Sequence, residues 1–306
     1  MPYPFLKHPI DFGDVHSSEE VIKSTWNDFR DALKNREFTY EEVSKATASG
    51  FLKVFDELFM LCTDRFECSL KNVERNSYLK RGSILAETEA VDYERFLPKA
   101  EFITQSNRFS PVGVEWLYLA VSRRETRAEE CTIKECRASS GNRFGICTFS
   151  IKREFENKKI IDLTVADDLT YEQINSRLEC TYKEICRARF RRSRRRGRAA
   201  AITVAENNKI KNAVEDWAFK TYLKLMSEQI FKPLEDTDDR NLMYAPFQCV
   251  AQYFLDKGYS GIKYKSTVCE SAKDIVLFDK TYAHPVGDIK DFICLLYTSP
   301  SPRDTR

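Results

Sequence analysis

The chain has 306 residues, 42% hydrophobic and 31% charged, with a formal net charge of +2. That is an ordinary soluble balance, with apolar material for one large domain or two modest ones. No apolar run approaches the length of a membrane-spanning helix, and the opening MPYPFLKHPIDFGD has Lys7 but no apolar stretch of a secretory signal, which implies a cytoplasmic address.

In chain order, Ser17-Ser18-Glu19-Glu20 offers a capping box ahead of Ile22, Trp26, Phe29 and Leu33 at helical spacing. Thr39-Tyr40-Glu41-Glu42 repeats the signal before a second helix carrying Phe51, Val54, Phe55, Leu58 and Phe59. Residues 15–70 therefore predict a helical hairpin or small bundle, within an N-terminal helical segment 1–74 that serves as a packing cap or, alternatively, a partner surface. From about 75 the texture changes. GVEWLYLAV (113–121), GICTFSI (145–151), KIIDLTV (159–165) and DIVLFD (274–279) are short, β-branched and aromatic, as strands are. Helices are expected at about 124–136, 171–188, 208–231 and 246–257, the last closed by Gly258. Strands and helices without strict alternation predict an α+β fold, a mixed or antiparallel sheet flanked by helices.

Two segments stand apart. Residues 187–198, RARFRRSRRRGR, hold eight arginines, without which the net charge would be −6. Like charges so close together repel, so a solvated helix end or a flexible, disordered insertion is expected. The last residues, 294–306 (CLLYTSPSPRDTR), resemble translated cloning-adaptor sequence and are set aside from the fold. The ten scattered cysteines, without an export signal, read as free thiols and core filler. With no C-x-x-C pair and only His8, His16 and His284, they argue against a structural zinc site.

The chemistry-bearing stretches are 107–130 and 244–267. The first reads as a basic loop with Pro111 and Gly113, a strand, and a helix carrying Glu129 and Glu130. An arginine in such a loop suits a phosphate or carboxylate ligand, which guanidinium grips in bidentate fashion.

Together these stretches resemble the two signature regions of the RES family, named for an arginine, a glutamate and a serine. Arg108-Phe109-Ser110-Pro111, Leu117-Tyr118-Leu119-Ala120 and Thr126-Arg127-Ala128-Glu129-Glu130 are similar to its first region. Ile161-Asp162-Leu163 is similar to an intervening strand. Gln248, Gly258-Tyr259-Ser260-Gly261, Ser266 and DIVLFD are similar to its closing region. The likeness runs over roughly residues 77–280. The chain departs from the pattern at Ser260, where aspartate is usual, and at Arg127, where a small residue is usual.

The resemblance implies an ADP-ribosyltransferase-like fold over 75–285 and a cytoplasmic bacterial toxin of a toxin–antitoxin pair. Its substrate would be NAD+, cleaved by phosphorolysis or hydrolysis, with protein ADP-ribosylation as the alternative. Phosphate would be the co-substrate in the phosphorolytic case, no metal would be needed, and an Xre-type helix-turn-helix antitoxin would be the neutralising partner. A homo-oligomer is compatible with the sequence. Breaking the nicotinamide–ribose bond passes through an oxocarbenium-like state, and a cationic pyridinium leaves without a general acid, so one carboxylate suffices. The register assigns that role to Glu130, with Glu129 as its rival. Arg81, with Lys80 and Arg95 as rivals, would hold the pyrophosphate or incoming phosphate. Arg108 would bind NAD+, Tyr118 would stack on a ring or bond a ribose hydroxyl, and Ser266 would orient substrate. The competing reading is a nucleic-acid-binding protein working through 187–198, with only Phe190 interleaved as a stacking aromatic.

Overall fold

The computed structural model describes residues 15–48, 50–232, 234, 238–269 and 272–294. In chain order its helices are α1 (Val15–Lys34), α2 (Val43–Ala46), α3 (Gly50–Phe66), α4 (Leu70–Arg75), α5 (Glu125–Glu135), α6 (Tyr171–Arg196), α7 (Val204–Ile230) and α8 (Arg240–Asp256). Its strands are β1 (Glu67–Ser69), β2 (Tyr78–Leu85), β3 (Leu117–Ser122), β4 (Arg143–Ile151), β5 (Lys159–Asp162), β6 (Gly261–Lys265), β7 (Lys273–Leu277) and β8 (Ala283–Ile293). The fold is α+β with a mixed, mostly antiparallel sheet, and no helix among the described residues is long and apolar enough to cross a membrane.

The chain divides into two compact units, Met1–Glu67 with Asp162–Lys232, and Cys68–Ile161 with Pro233–Arg306. The first unit is helical. An aromatic seam holds it together: Trp26 meets Phe51 edge-on at 4.8 Å between ring centroids, and Phe66 meets Phe219 at 4.6 Å. Such pairs add about 0.5–1.5 kcal/mol beyond the area they bury. Helix α1 starts at Val15, so the expected box at Ser17–Glu20 falls inside the helix rather than at its end. The Thr39 amide does donate to Glu42 (2.9 Å), but only the one-turn α2 follows, and the expected second helix is split into α2 and α3.

Helices α6 and α7 belong to this same unit, although residues 162–232 were expected within the catalytic stretch. Both open on complete capping boxes, Thr170 with Gln173 and Thr203 with Glu206. The arginine run is helical as far as Arg196 and stops at Gly197 with φ 62°, so it is an ordered helix end and not a loop. Two of its guanidinium groups turn inward: Arg192 pairs with Glu206 at 2.6 Å and Arg189 donates to the Ala200 carbonyl. Arg187, Arg191, Arg194, Arg195, Arg196 and Arg198 are exposed, as at a solvated helix end.

The second unit is built on the sheet, in the order β1-β5-β6-β7-β3-β2-β4-β8. One face is apolar, with Leu79, Leu117, Leu119, Cys147, Phe149, Ile275 and Leu277 in a single buried cluster with Phe96 and the α4 residues Leu70 and Val73. Helix α5 lies against the other face through Ala128, Cys131 and Thr132. Gly82 permits that approach, because a Cβ there would collide with the Phe144 ring and lie 2.9 Å from Thr132. Strands β3, β4, β5 and β7 fall within the expected segments to within a few residues, whereas β2, β6 and β8 were not anticipated. Lys80, Arg81 and Gly82 interrupt any apolar alternation in β2, and β8 is a sheet-edge strand carrying Pro285 and Gly287. All ten cysteines are free thiols. Cys294, expected in the tail, is buried and exchanges backbone bonds with Gly141 and Asn142; 295–306 lie outside the described residues.

Candidate functional site

The sheet of the second unit carries a split. Strands β2 and β3 pair only at Tyr78↔Ser122, Leu79↔Val121 and Lys80↔Ala120. Beyond Lys80, β2 continues along β4 to Leu85, while β3 stays on β7 back to Leu117. Backbone groups that would have faced each other are drawn apart, and a cavity of about 260 Å³ opens there. Arg81 and Gly82 line it from β2, and Tyr118, Leu119 and Ala120 from β3. Lys80, Trp116, Tyr264 and Asp274 are also in its wall, with Glu135 from the end of α5.

Glu135 reaches the cavity because of helical periodicity. Ala128, Cys131 and Thr132 form the buried face of α5, and Glu135 is the next position of that i, i+3, i+4, i+7 series. Its carboxylate accepts a hydrogen bond from the Ser266 hydroxyl (2.7 Å). Ser266 is itself buried, and its oxygen accepts from the Cys269 amide (3.2 Å), which fixes the hydroxyl toward Glu135. Beneath them Asp274 on β7 is 5% exposed and accepts from the Cys131 thiol (3.5 Å). Burial first, and the neighbouring Glu135 carboxylate second, raise Asp274 well above the usual carboxylate range. Both causes favour the protonated form of the Asp274 carboxyl. Burial also raises the Cys131 thiol, which stays protonated. Cys131, Glu135 and Asp274 bring ligand atoms within 4.8 Å of one another, a set that would hold a cation only with loss of the thiol and carboxyl protons.

Arg81 supplies the cation. Its guanidinium is buried, one terminal nitrogen has no hydrogen-bond partner among the described residues, and burial lowers its pKa to about 10, still charged at neutral pH. An unsatisfied buried donor of that kind costs free energy until an anion or water meets it. Its rivals have acidic partners: Lys80, which also lines the cavity, is held by Glu125 (2.6 Å) and Thr148 (2.7 Å), and Arg95 pairs with Glu89 (2.6 Å). Tyr118 stands across the split from Arg81, its hydroxyl 2.9 Å from that of Ser110, and burial raises its pKa.

A second pocket of about 190 Å³ adjoins the first, sharing Asn107, Tyr118, Glu135 and Tyr264 with it. Arg108 lines this one, bonded to the Thr267 hydroxyl (3.1 Å) and lying over the Tyr244 and Phe247 rings. Arg137 and Arg240 line it as well.

Of the residues expected from the sequence, Arg81, Arg108, Tyr118 and Ser266 meet around these two pockets. Glu130 does not. It lies on the outer side of α5, paired with Arg127 and Lys134 at 2.7 Å each, and those partners, Lys134 first, hold its carboxyl below the usual range. One residue along a helix is a turn of 100°, which carries position 130 away from the Cys131–Glu135 face. Glu129 is bound by Lys290 (2.5 Å) and lines neither pocket. Glu135 and Asp274 were missed. Glu135 is exposed at the end of α5, on the extension of the face that carries Ala128, Cys131 and Thr132, and the sequence marks it no more than any helical glutamate; for Asp274 the legible signal was an acid within an apolar strand. Compared with known proteins, the chain matches no family model, no curated protein and no solved structure.

Proposed function

We propose that the protein is an NAD+-consuming enzyme that cleaves the nicotinamide–ribose bond, with Glu135 rather than Glu130 as the carboxylate beside the ribose. One observation carries the reading: a single cavity joins the unsatisfied guanidinium of Arg81, the oriented carboxylate of Glu135 and the aromatic walls Trp116, Tyr118 and Tyr264. An aromatic-lined pocket suits a pyridinium ring, and a fixed carboxylate suits the cation that develops as the ring departs. As the bond breaks, its electron pair moves to the ring nitrogen and neutral nicotinamide leaves. The electron-poor ribose carbon is stabilised by Glu135 until an oxygen of water or phosphate adds to it. With water, the proton released on addition passes to Glu135 or to solvent.

Ser266 and protonated Asp274 are positioning residues. They hold Glu135 in place before the reaction, so no reorganisation is needed as charge develops. In a bacterial cell such turnover would drain NAD+ and arrest growth, the behaviour of a toxin that needs a neutralising partner.

The test is purified protein incubated with NAD+, with and without phosphate, and the product masses read. Expected products are nicotinamide with ADP-ribose or its 1-phosphate. Glu135→Gln should lower turnover by about 10²–10³-fold, the usual cost of removing a preorganised electrostatic contact, while Glu130→Gln stays near wild type. Full activity in E135Q with loss in E130Q would restore the original register and sink this assignment; added mass on a protein would indicate ADP-ribosyl transfer instead.

A further inference from the structure

We infer that the arginine pocket beside the cavity is a diphosphate subsite, in which Arg137 and Arg240 bind the phosphates of a dinucleotide. The inference rests on the reading above for where the ribose sits, but its own evidence is separate.

Arg108, Arg137 and Arg240 converge on the pocket from three places: the loop before β3, the turn after α5 and the first residue of α8. Like charges gathered in a concave site repel one another unless an anion occupies it, and the only acid among the described lining residues is Glu135, whose carboxylate is already held by Ser266. Neither Arg137 nor Arg240 has an acidic partner within 4.0 Å among the described residues. Arg240 is instead oriented by the Gln105 side chain (2.6 Å), which leaves the rest of its guanidinium fork to donate.

Arg137 adds a second, independent indication. Its backbone has φ 50°, the left-handed conformation that ends a helix, with its amide bonded to the Lys134 carbonyl (3.0 Å) and that of Ala138 to Ile133 (3.1 Å). Glycine occupies that position without strain, whereas a residue with a Cβ costs on the order of 1 kcal/mol. Arginine there is disfavoured by the backbone, and its side chain lines the pocket.

The geometry also fixes the class of ligand. Asn107, Tyr118, Glu135 and Tyr264 are common to both pockets, so a ribose beside Glu135 has its 5′ substituent leading toward the arginines. Three guanidinium groups, with the Thr267 hydroxyl and the Tyr244 ring beside them, bring more positive charge than one phosphate carries and suit two linked phosphates followed by a second nucleoside.

Calorimetric titration of ADP, with adenosine as the phosphate-free comparison, tests this on the full chain. Wild type should bind ADP at least tenfold more tightly than adenosine, and R137Q/R240Q should lose that preference. Arg137→Gly, which relieves the backbone as it removes the guanidinium, should weaken ADP binding without lowering the unfolding temperature. Undiminished ADP affinity in either variant overturns the subsite. In turnover assays the double variant should raise KM for NAD+ at least tenfold with kcat little changed, and the effect should be smaller for nicotinamide mononucleotide. ADP binding that depends on both arginines in a protein leaving NAD+ intact would keep the subsite and end the NAD+ reading. NAD+ cleavage with the same KM in wild type and double variant would end the subsite alone.

Discussion

Asp274 is the residue whose chemistry is most sharply defined by its surroundings. Asp274 is packed against Cys131 and Glu135 of α5, with Tyr264 of β6, Tyr118 of β3 and Arg108 as the other ionisable groups near enough to matter. In the unfolded chain it releases its proton near 3.8, whereas in the folded protein it keeps it to a much higher pH. Between those limits the folded state binds more protons, so stability falls as pH rises, by at most about 1.4 kcal/mol per pH unit. Asp274→Asn retains the shape and cannot ionise. Urea denaturation from pH 4 to 8 should therefore show wild type losing stability relative to D274N as pH increases. Parallel curves would mean that Asp274 is ionised in the fold and that Glu135 is held differently.

At the scale of elements, the contrast is between α5 and the α6–α7 pair. Helix α5 has no side-chain cap at Arg124 and is held by the sheet it covers, which is why its register, and with it the acid that lines the cavity, depended on packing. Helix α7 is fixed locally by Thr203 and Glu206, and Arg192 of α6 clasps the same carboxylate. The Arg192 bond, and then the Thr203 amide, hold Glu206 down to about 2. A lowered carboxylate pKa contributes stability that is complete above the ordinary value of 4.5 and is lost as pH falls through about 2. Glu206→Gln should accordingly be destabilising at neutral pH, with the gap from wild type narrowing below pH 4.5. Thr203→Ala removes the cap and should cost about 1 kcal/mol in chemical denaturation. A neutral result for both would show that α7 is set by its buried face alone.

For the whole molecule, the division into two units separates the arginine run from the two pockets. Arg187, Arg191, Arg194 and Arg195 belong to the helical unit, and no residue of that unit lines either pocket. Their exchange for glutamine should leave NAD+ turnover within about tenfold, roughly 1.4 kcal/mol in barrier terms. Arg189 and Arg192 are left in place in that variant, because they tie α6 to Ala200 and Glu206. Loss of turnover in a variant that still unfolds cooperatively would bring the run into the active site. Under the proposed activity, wild type and this variant expressed in bacteria should both deplete NAD+ and halt growth, while Glu135→Gln should do neither.

Local sequence determined what depends on near neighbours. The periodicity of Ile22, Trp26 and Phe29 made α1, the threonine boxes began α6 and α7, and β-branched runs marked β3, β4, β5 and β7. Arg81, Arg108 and Tyr118, singled out from the sequence, line the two pockets, and Ser266 bonds Glu135. Tertiary structure decided the rest. Which acid of Glu129, Glu130 and Glu135 faces the cavity follows from the face α5 presents to Gly82 and β2, a long-range packing choice that local register does not encode. The split between β2 and β3, the proton held by Asp274 and the meeting of Arg137 with Arg240 all join residues distant in sequence. Those features exist only once the sheet has closed, because burial and proximity, not residue type, create them.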